Sequence, residues 1–436
     1  LLNLWMPLAI ITAIGLLAVV LKGFRVVYHK KDDRSPSQRL SDYFSLNQIR
    51  LAQVEGFIAG IKNRPTVEQR QADRYIEMLE KILANHPASK GVVIYPPTHD
   101  WGYMFQRPHQ IAREFARQGY LFFYCTKNEM ADTVYGFTEI DPGLYLCNVP
   151  TKTFSKLKSP VLYLGVAKHA ELIKDLSNPL VIYDHYDDLA VSSTPMKMHL
   201  AAMRAANIVI TTSDPLLKEA QKIRSDILLI PNGVDYDFVK SYRDIGEESA
   251  PTDLEAILAE QKPIIGYSGA LAEWFDYGLV DYLAKQRQEW NFVILGTNYD
   301  GTLDKSNLLA NSNIYWLGMK KYEDLFHYIR HFSVGIIPFH VNEITLATSP
   351  LKLFEYAALL KPIITTALPE CTKYDEVLIA KNKNEFLSNI EIGLVKAQDP
   401  EYIRKLDLLA QRNSWESKVK LIISEINRVS KQDTAP

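Results

Sequence analysis

The sequence predicts an α/β protein with two successive doubly wound domains. From residue 91 onward, strand-length apolar runs alternate with amphipathic helical stretches. The alternation stops at a turn over residues 231–235 and a polar, acidic stretch over residues 241–252, and then it starts again. Continuous apolar strands separated by helices indicate parallel sheets that are covered on both faces. A chain of 436 residues is also too long for one ordinary core.

The first domain is predicted over residues 91–233. Helices are expected between most of its strands, for example at residues 106–118 and 194–205. Its predicted strands are residues 91–95, 121–124, 161–164, 181–183, 208–210 and 227–230.

The second domain is predicted over residues 234–411, and the last segment, residues 412–436, is expected to form a helix that packs back on the first domain. Two such domains in succession put the carboxyl ends of two sheets opposite each other across a cleft, where ligands are expected to bind. The predicted strands of the second domain are residues 264–267, 292–295, 314–316, 334–337 and 362–365.

The first 30 residues are predicted to anchor the chain in a membrane. Residues 4–21 carry no charged side chain, and a helix of that length would span about 27 Å, close to the thickness of a bilayer core. Basic residues follow between Lys22 and Arg34, which places the rest of the chain on the cytoplasmic face of the cytoplasmic membrane. A buried core helix is the alternative interpretation of the apolar run. Residues 31–90 are predicted to form a helical stalk or linker.

Composition excludes some classes of partner. Hydrophobic residues make up 47% of the chain and charged residues 23%, as in a globular protein. The formal net charge of −2 points to no nucleic-acid partner. The three cysteines have no metal-ligand spacing, which indicates a reducing compartment.

Residues 349–366 are the stretch around which the predicted chemistry is arranged. Ser349 is expected to cap a short helix with Pro350 at its first position, and Lys352 and Glu355 lie within its first two turns. A helix N-terminus attracts anions, so a cation and a carboxylate at this place suit a sugar nucleotide. The alternative is an ordinary pair of surface charges three residues apart.

Five local patterns occur in order along the chain. They are residues 106–110 (QRPHQ), 183–189 (YDHYDDL), 230–235 (IPNGVD), 266–276 (GYSGALAEWFD) and the stretch 349–366. With these patterns the chain resembles the GT-B glycosyltransferases over about residues 91–430. Within that group it is similar to the retaining enzymes of glycosyltransferase family four that build bacterial teichuronic acid and capsule polysaccharides. The resemblance implies a GT-B fold, with acceptor bound to the first domain and donor to the second.

The resemblance also implies a donor-nucleotide site in the second domain. Glu355 would accept hydrogen bonds from the ribose hydroxyls, and Lys352 would pair with the diphosphate. Ala347 stands where the family has a first glutamate that contacts the transferred sugar. The residues expected to bind the donor nucleotide are Gly269, Ser349, Pro350, Leu351, Lys352 and Glu355.

Other expected site residues come from the first domain. By the resemblance, His185 and Asp184 join Lys352 as catalytic candidates, and both follow a strand at the carboxyl edge of its sheet. Arg107 and His109 are expected on the acceptor side, with local helix capping as the alternative. The carboxylates of residues 184–188 favour turn and capping roles over a metal site, so no metal ion and no cofactor is expected.

The function expected from these features is transfer of a sugar from a nucleoside diphosphate sugar to a growing cell-surface polysaccharide or lipid-linked glycan, with retention of configuration. A non-catalytic nucleotide-sugar-binding or scaffold protein is one rival, which Ala347 keeps open. A sugar-nucleotide 2-epimerase shares the two-domain architecture. A periplasmic-type binding protein also has two such domains, but the basic flank after residue 21 argues for the other side of the membrane.

Overall fold

A computed structural model describes residues 67–189, 194–246 and 250–432. Both predicted α/β domains lie within the compact unit Tyr75–Pro436. Among the described residues, no helix is both long enough and apolar enough to cross a membrane. The predicted anchor at residues 1–30 and most of the predicted stalk lie outside the described ranges.

The first domain is built on a sheet to which the described residues contribute eight strands, in the order β3-β4-β2-β1-β5-β6-β7-β8. All neighbours pair in parallel except β3 and β4, which form an antiparallel hairpin at one edge. The strands are β1 Val92–Tyr95, β2 Leu121–Cys125, β3 Gly136–Asp141, β4 Leu144–Asn148, β5 Val161–Leu164, β6 Leu180–His185, β7 Ile208–Thr211 and β8 Ile227–Leu229. Its helices are α1 Val67–Asn85, α2 Arg107–Arg117, α3 Met196–Ala205 and α4 Asp214–Gln221, with 3-10 segments at Thr151–Phe154 and Ala167–Asp175.

Helices cover both faces of this sheet, as the continuous apolar strands predict. On one face α2 contributes Ile111 and Phe115 to a buried cluster. On the other face α3 packs through Ala202 and Met203, and the end of α1 packs through Leu79, which is 3% exposed. The last turns of the predicted stalk are therefore part of the first domain's core.

The second domain is built on a sheet whose six described strands pair in parallel in the order β11-β10-β9-β12-β13-β14. The strands are β9 Ile264–Ser268, β10 Asn291–Leu295, β11 Ile314–Trp316, β12 Val334–Ile337, β13 Ile363–Thr366 and β14 Leu378–Ala380. The helices are α5 Tyr236–Lys240, α6 Thr252–Leu258, α7 Tyr277–Gln286, α8 Thr302–Lys305, α9 Tyr322–Ile329, α10 Glu343–Leu346, α11 Leu351–Ala358, α12 Lys383–Lys396 and α13 Pro400–Arg412, with 3-10 segments at Leu308–Ala310 and Cys371–Lys373. The prediction of two parallel α/β sheets is confirmed except at the edge of the first sheet, where β3 and β4 pair antiparallel.

Strand order locates the place where a ligand can enter each sheet. The strand order reverses beside β1 in the first sheet and beside β9 in the second, because the strands that follow in the chain lie on opposite sides of these two. Loops that leave such a point in opposite directions open a crevice at the carboxyl ends of the strands. The loops after β1 and β9 are therefore the expected walls of a binding site.

The chain ends in helix α14 Trp415–Gln432, which returns to the first domain. Its Val419, Ile422 and Ile426 join the cluster that contains Phe115 of α2. Trp415 opens the helix at 1% exposure, and its ring lies 5.5 Å below the Arg107 guanidinium carbon. The helix thus closes the face of the first sheet that α2 leaves partly open.

Replacing Trp415 by alanine is expected to lower the free energy of unfolding by about 3 to 5 kcal/mol, because a large buried ring is lost and a cavity remains. Urea titration followed by circular dichroism measures this change. Leu421→Ala on the same helix is the matched control, since its side chain is 57% exposed and its loss should change stability by no more than about 0.5 kcal/mol. Equal effects of the two substitutions would contradict the docking of α14.

Candidate active site

A cavity of about 710 Å³ lies between the two domains at the carboxyl ends of their sheets, a size typical of small-molecule sites. The second domain supplies most of its wall, from the loops after β9, β10 and β12 and from the start of α11. The first domain lines it with Trp101, Gly102, Met104, Phe105, Gln106, Asp187, Asp188 and Asn232.

All the residues predicted to bind the donor nucleotide line this cavity. Helix α11 begins at Leu351, and Pro350 is its N-cap residue, with an extended backbone. The predicted positions of Ser349 and Pro350 at the helix start are therefore wrong by one residue. The Ser349 hydroxyl does not cap α11. It accepts a hydrogen bond at 3.1 Å from the backbone N–H of Asn232 instead.

Gly269 brings the backbone of the β9 loop close to Lys352. Its φ of +145° is a conformation that side-chain-bearing residues rarely adopt, and a Cβ there would lie 2.9 Å from Lys352 Cε. Its N–H donates to the carbonyl of Leu295 at 2.8 Å. The loop is thus held against β10 while leaving room for the lysine.

Lys352 occupies an aromatic corner of the cavity. Its Nζ lies 4.7 Å from the ring centroid of Phe339 and 5.3 Å from that of Tyr267, distances at which ring faces stabilise a cation. Burial lowers the pKa of Lys352 to about 8, although the nearby Glu355 carboxylate works in the opposite direction. The ammonium group is therefore held near the cavity with little solvent to shield it.

Glu355 lies one turn further along α11 and is 8% exposed. Burial raises the pKa of its carboxyl to about 7, and the nearby Lys352 partly offsets this effect. A carboxyl group with a pKa so close to neutrality, near a cation in a cleft, is typical of functional sites.

Arg107 and Asp184 do not face the cavity, contrary to the expectation from the sequence. They form a buried ion pair in which Arg107 Nε and Nη2 lie 2.8 Å and 3.1 Å from the two carboxylate oxygens of Asp184. The Tyr163 hydroxyl donates to the same carboxylate at 2.7 Å. Arg107 Nη1 donates to the Ile230 carbonyl and to Asn232 Oδ1, both at 3.1 Å.

His109 and His185 are also withdrawn from the cavity, and this corrects their expected placement. His109 is fully buried, and its Nδ1 accepts from the Gln106 N–H at 3.0 Å, so it serves the start of α2. The His185 ring packs 4.7 Å from that of His199, and burial lowers the pKa of His185 to about 3. Burial also lowers the pKa of His109 well below its usual range. Both rings are therefore neutral at ordinary pH.

Strand geometry explains these misplacements. Strand β6 runs through His185, so Asp184 and His185 point to opposite faces of the sheet, one toward α2 and the other toward α3. The residues that reach the cavity from this run are Asp187 and Asp188, which follow the strand.

Some cavity residues had no role assigned from the sequence. Tyr322 in α9 stacks on Phe105 with ring centroids 4.2 Å apart, and its hydroxyl accepts from Gln110 Nε2 at 2.6 Å. Asn232 lies within the IPNGVD pattern, which was a usable signal. No sequence signal marks Tyr322 as a cavity residue, because Phe105 and Gln110, its partners from the first domain, lie more than 200 residues away in the chain.

The position of the family's first glutamate is part of the cavity wall. Ala347 is 6% exposed and lines the cavity with a methyl group. Glu343, the nearest acidic residue before it, is exposed at the start of α10 and does not line the cavity. The sugar end of the site therefore differs from the pattern that the family resemblance implies.

Comparisons with known proteins agree with this architecture. Residues 262–394 match the family model described as "Glycosyl transferases group 1". A putative teichuronic acid biosynthesis glycosyltransferase, TuaH of Bacillus subtilis (strain 168), is 25% identical over 226 residues, which are 50% of this chain and 55% of the relative. The chain thus spans about half the length of this curated relative.

Solved structures share the fold at low sequence identity. An α,α-trehalose 6-phosphate synthase from Burkholderia multivorans superposes with a TM-score of 0.60 at 10% identity, covering 79% of this chain and 100% of that one. Alr3699/HepE of Anabaena in complex with UDP gives a TM-score of 0.54 at 12% identity, covering 78% and 100%. The described chain therefore has the GT-B-like fold of two Rossmann-like sheets, and residues 262–394 match the glycosyl transferases group 1 family model.

Proposed function

We propose that this protein is a glycosyltransferase that moves a sugar from a nucleoside diphosphate sugar to an acceptor glycan. The observation that carries this proposal is the pair Lys352 and Glu355 on one helix that begins at an interdomain cavity. The group 1 domain in residues 262–394 supports the reaction class. The UDP bound to Alr3699/HepE supports a nucleotide as the ligand of such a fold.

The donor would lie with its diphosphate at the start of α11. There the free N–H groups of the helix, the Lys352 ammonium and the close backbone of Gly269 can offset the two negative charges. Glu355 would accept hydrogen bonds from the ribose hydroxyls. This arrangement needs no metal ion and no cofactor, since fixed dipoles and one cation take the place of a divalent ion.

In the reaction the bond between the anomeric carbon and the phosphate oxygen breaks, and the acceptor hydroxyl oxygen forms the new bond from the same face. The leaving diphosphate takes up the electron pair, and the acceptor proton passes to it or to solvent. Retention of configuration follows from attack on that face. No side chain then acts as a covalent nucleophile, so the buried positions of His185 and Asp184 are compatible with the proposal.

We further propose that the acceptor is a growing cell-surface polysaccharide or a lipid-linked glycan. The similarity to TuaH supports this assignment. The apolar run at residues 4–21 and its basic flank support action at the cytoplasmic face of the cytoplasmic membrane. An anchored enzyme and a lipid-borne acceptor would share one surface.

A second candidate function is nucleotide-sugar binding without transfer. The methyl group of Ala347 in the cavity wall favours it, because the family's sugar-contacting carboxylate is missing there. The two candidates differ in turnover, whereas both require nucleotide binding.

Incubation of the detergent-purified full chain with a panel of nucleotide sugars and lipid-linked acceptors is expected to release free nucleoside diphosphate. Lys352→Met should lower kcat/KM by about 100-fold or more, since a charge that stabilises the leaving group is lost. Lys305→Met is the control, because Lys305 is an exposed lysine of the same domain. Nucleotide binding without release from any donor would reject the transferase in favour of the binding protein, and unchanged kinetics in Lys352→Met would reject this donor site.

The pH dependence of nucleotide binding tests the two titrating groups. Glu355 should bind ribose as a carboxylate and Lys352 should bind diphosphate as an ammonium, so UDP affinity should be highest between pH 7 and 8. At pH 7.5, Glu355→Gln is expected to weaken UDP binding about tenfold. At pH 5.5 wild-type Glu355 is already protonated, so the difference should shrink to about twofold.

Calorimetric titration at pH 5.5 and pH 7.5 measures the UDP dissociation constants of Glu355→Gln and of the wild type. The ratio of these two constants at each pH does not depend on the titration of the UDP phosphate, because that titration affects both proteins equally. At pH 9.5 the matching comparison uses Lys352→Met, whose deficit should shrink because the wild-type lysine has lost its proton. A ratio that stays constant from pH 5.5 to pH 7.5 would show that Glu355 does not bind the nucleotide as a carboxylate.

A further inference from the structure

Asn232 connects the linker between the two domains to the segment that precedes the donor helix. Its backbone N–H donates to Ser349 Oγ at 3.1 Å, and its side-chain Nδ2 donates to the Ser349 carbonyl at 2.7 Å. Ser349 is 5% exposed and lies two residues before Leu351, where α11 begins. Two hydrogen bonds from one residue therefore define where the chain enters that helix.

The orientation of the Asn232 amide is set from the first domain. Arg107 Nη1 donates to Asn232 Oδ1 at 3.1 Å, so the amide must turn its oxygen toward the guanidinium and its nitrogen toward Ser349. An amide oxygen and nitrogen have nearly the same shape, and the hydrogen-bond partners decide between the two orientations. The charge of Arg107 makes that choice unambiguous.

Arg107 is itself held in place by hydrogen bonds. Its other nitrogens are taken by the carboxylate of Asp184, at 2.8 Å and 3.1 Å, and the pair is almost completely buried. A bidentate pair of this kind has a fixed direction as well as a strong attraction. A continuous chain of contacts thus runs from β6 through α2 and Asn232 to the start of α11.

The donor side of the cavity is sensitive to this chain of contacts. Lys352 follows Ser349 by three residues, and its Cε would lie only 2.9 Å from a Cβ on Gly269. A shift of the helix start would move the ammonium and the free N–H groups of α11 together. Misplacement of reacting groups by about 1 Å can reduce rates about 100-fold.

We propose that Asn232 is a positioning residue that fixes the start of the donor helix, and that Arg107 and Asp184 of the first domain act through it. Arg107, which was expected on the acceptor side, and Asp184, which was expected to act in catalysis, would then serve the donor side as an ion pair. The effect on nucleotide binding rests on the proposed function, whereas the effect on the helix start does not.

Asn232→Asp is the sharpest test, because the carboxylate keeps an acceptor for Arg107 and loses the donor to the Ser349 carbonyl. Hydrogen exchange measured by mass spectrometry on the ligand-free full chain should show amides of residues 345–353 exchanging about tenfold faster. Peptides from β5 and β6 should be unchanged. Asp214→Asn is the matched control, since it removes an interdomain contact of 3.1 Å to Lys373 that does not involve Ser349.

Unchanged exchange in residues 345–353 would overturn the inference, as would an equal increase in the Asp214→Asn control. UDP titration of the same variants separates the two proposals. Asn232→Asp should weaken UDP binding about tenfold, with Asp214→Asn close to wild type. If wild type binds no nucleoside diphosphate, the proposed function fails, and the exchange data still decide the role of Asn232.

Coupling between Arg107 and Asn232 provides an independent check. Arg107→Lys should accelerate exchange at residues 345–353 in the wild-type background and add little in the Asn232→Ala background, because Arg107 acts through the missing amide. Additive effects of the two substitutions would overturn that part of the inference. If Arg107→Lys does not fold, the Asn232→Asp comparison carries the test by itself.

Discussion

The buried guanidinium of Arg107 is the constraint on which much of this structure depends. A charge at 2% exposure is tolerated only when its donors are matched by acceptors in good geometry. The acceptors come from different parts of the chain: the carboxylate of Asp184 at the end of β6, the Ile230 carbonyl and the Asn232 amide. Trp415 of the C-terminal helix supplies a ring face. Satisfying one side chain therefore joins the first sheet, the linker and the returning helix.

The cavity places two opposite charges where water cannot stabilise them fully. Burial moves the pKa of Lys352 down to about 8 and that of Glu355 up to about 7, so each group is destabilised in its charged form. In the ligand-free protein this costs stability. The Glu355 penalty grows as the pH rises from the ordinary carboxyl pKa of 4.5 to about 7 and is complete above that pH. The Lys352 penalty grows as the pH falls from the ordinary pKa of 10.5 to about 8 and is complete below that pH. A bound diphosphate and ribose would compensate both groups at once. Binding sites commonly lower the stability of the ligand-free protein, because their groups are arranged to interact with the ligand.

Much of the fold could be predicted because most strands of a covered parallel sheet are continuous apolar runs. The strands that escaped prediction lack that signature or its context. Strand β3 exposes Thr138, Glu139 and Asp141 at the sheet edge, and β14 has only three residues. Strand β4 is apolar, but it is joined to β3 by a hairpin. The prediction assumed a helix between successive strands, so it did not include two strands joined by a hairpin.

The site divides in the same way between what is local in the chain and what is not. The residues that line the donor side are close neighbours from 349 to 355, so one motif could predict them together. The hydrogen-bond partners of Arg107 lie 77 to 125 residues away, and no periodicity predicts which face of β6 the Asp184 side chain occupies. The sequence patterns singled out both Arg107 and Asp184, but they predicted the wrong direction for the two side chains. An aspartate near the end of a strand gives the same sequence pattern whether its carboxylate faces a ligand or an arginine. The two possibilities differ in which hydrogen-bond donors reach the carboxylate, and only the folded chain determines those donors.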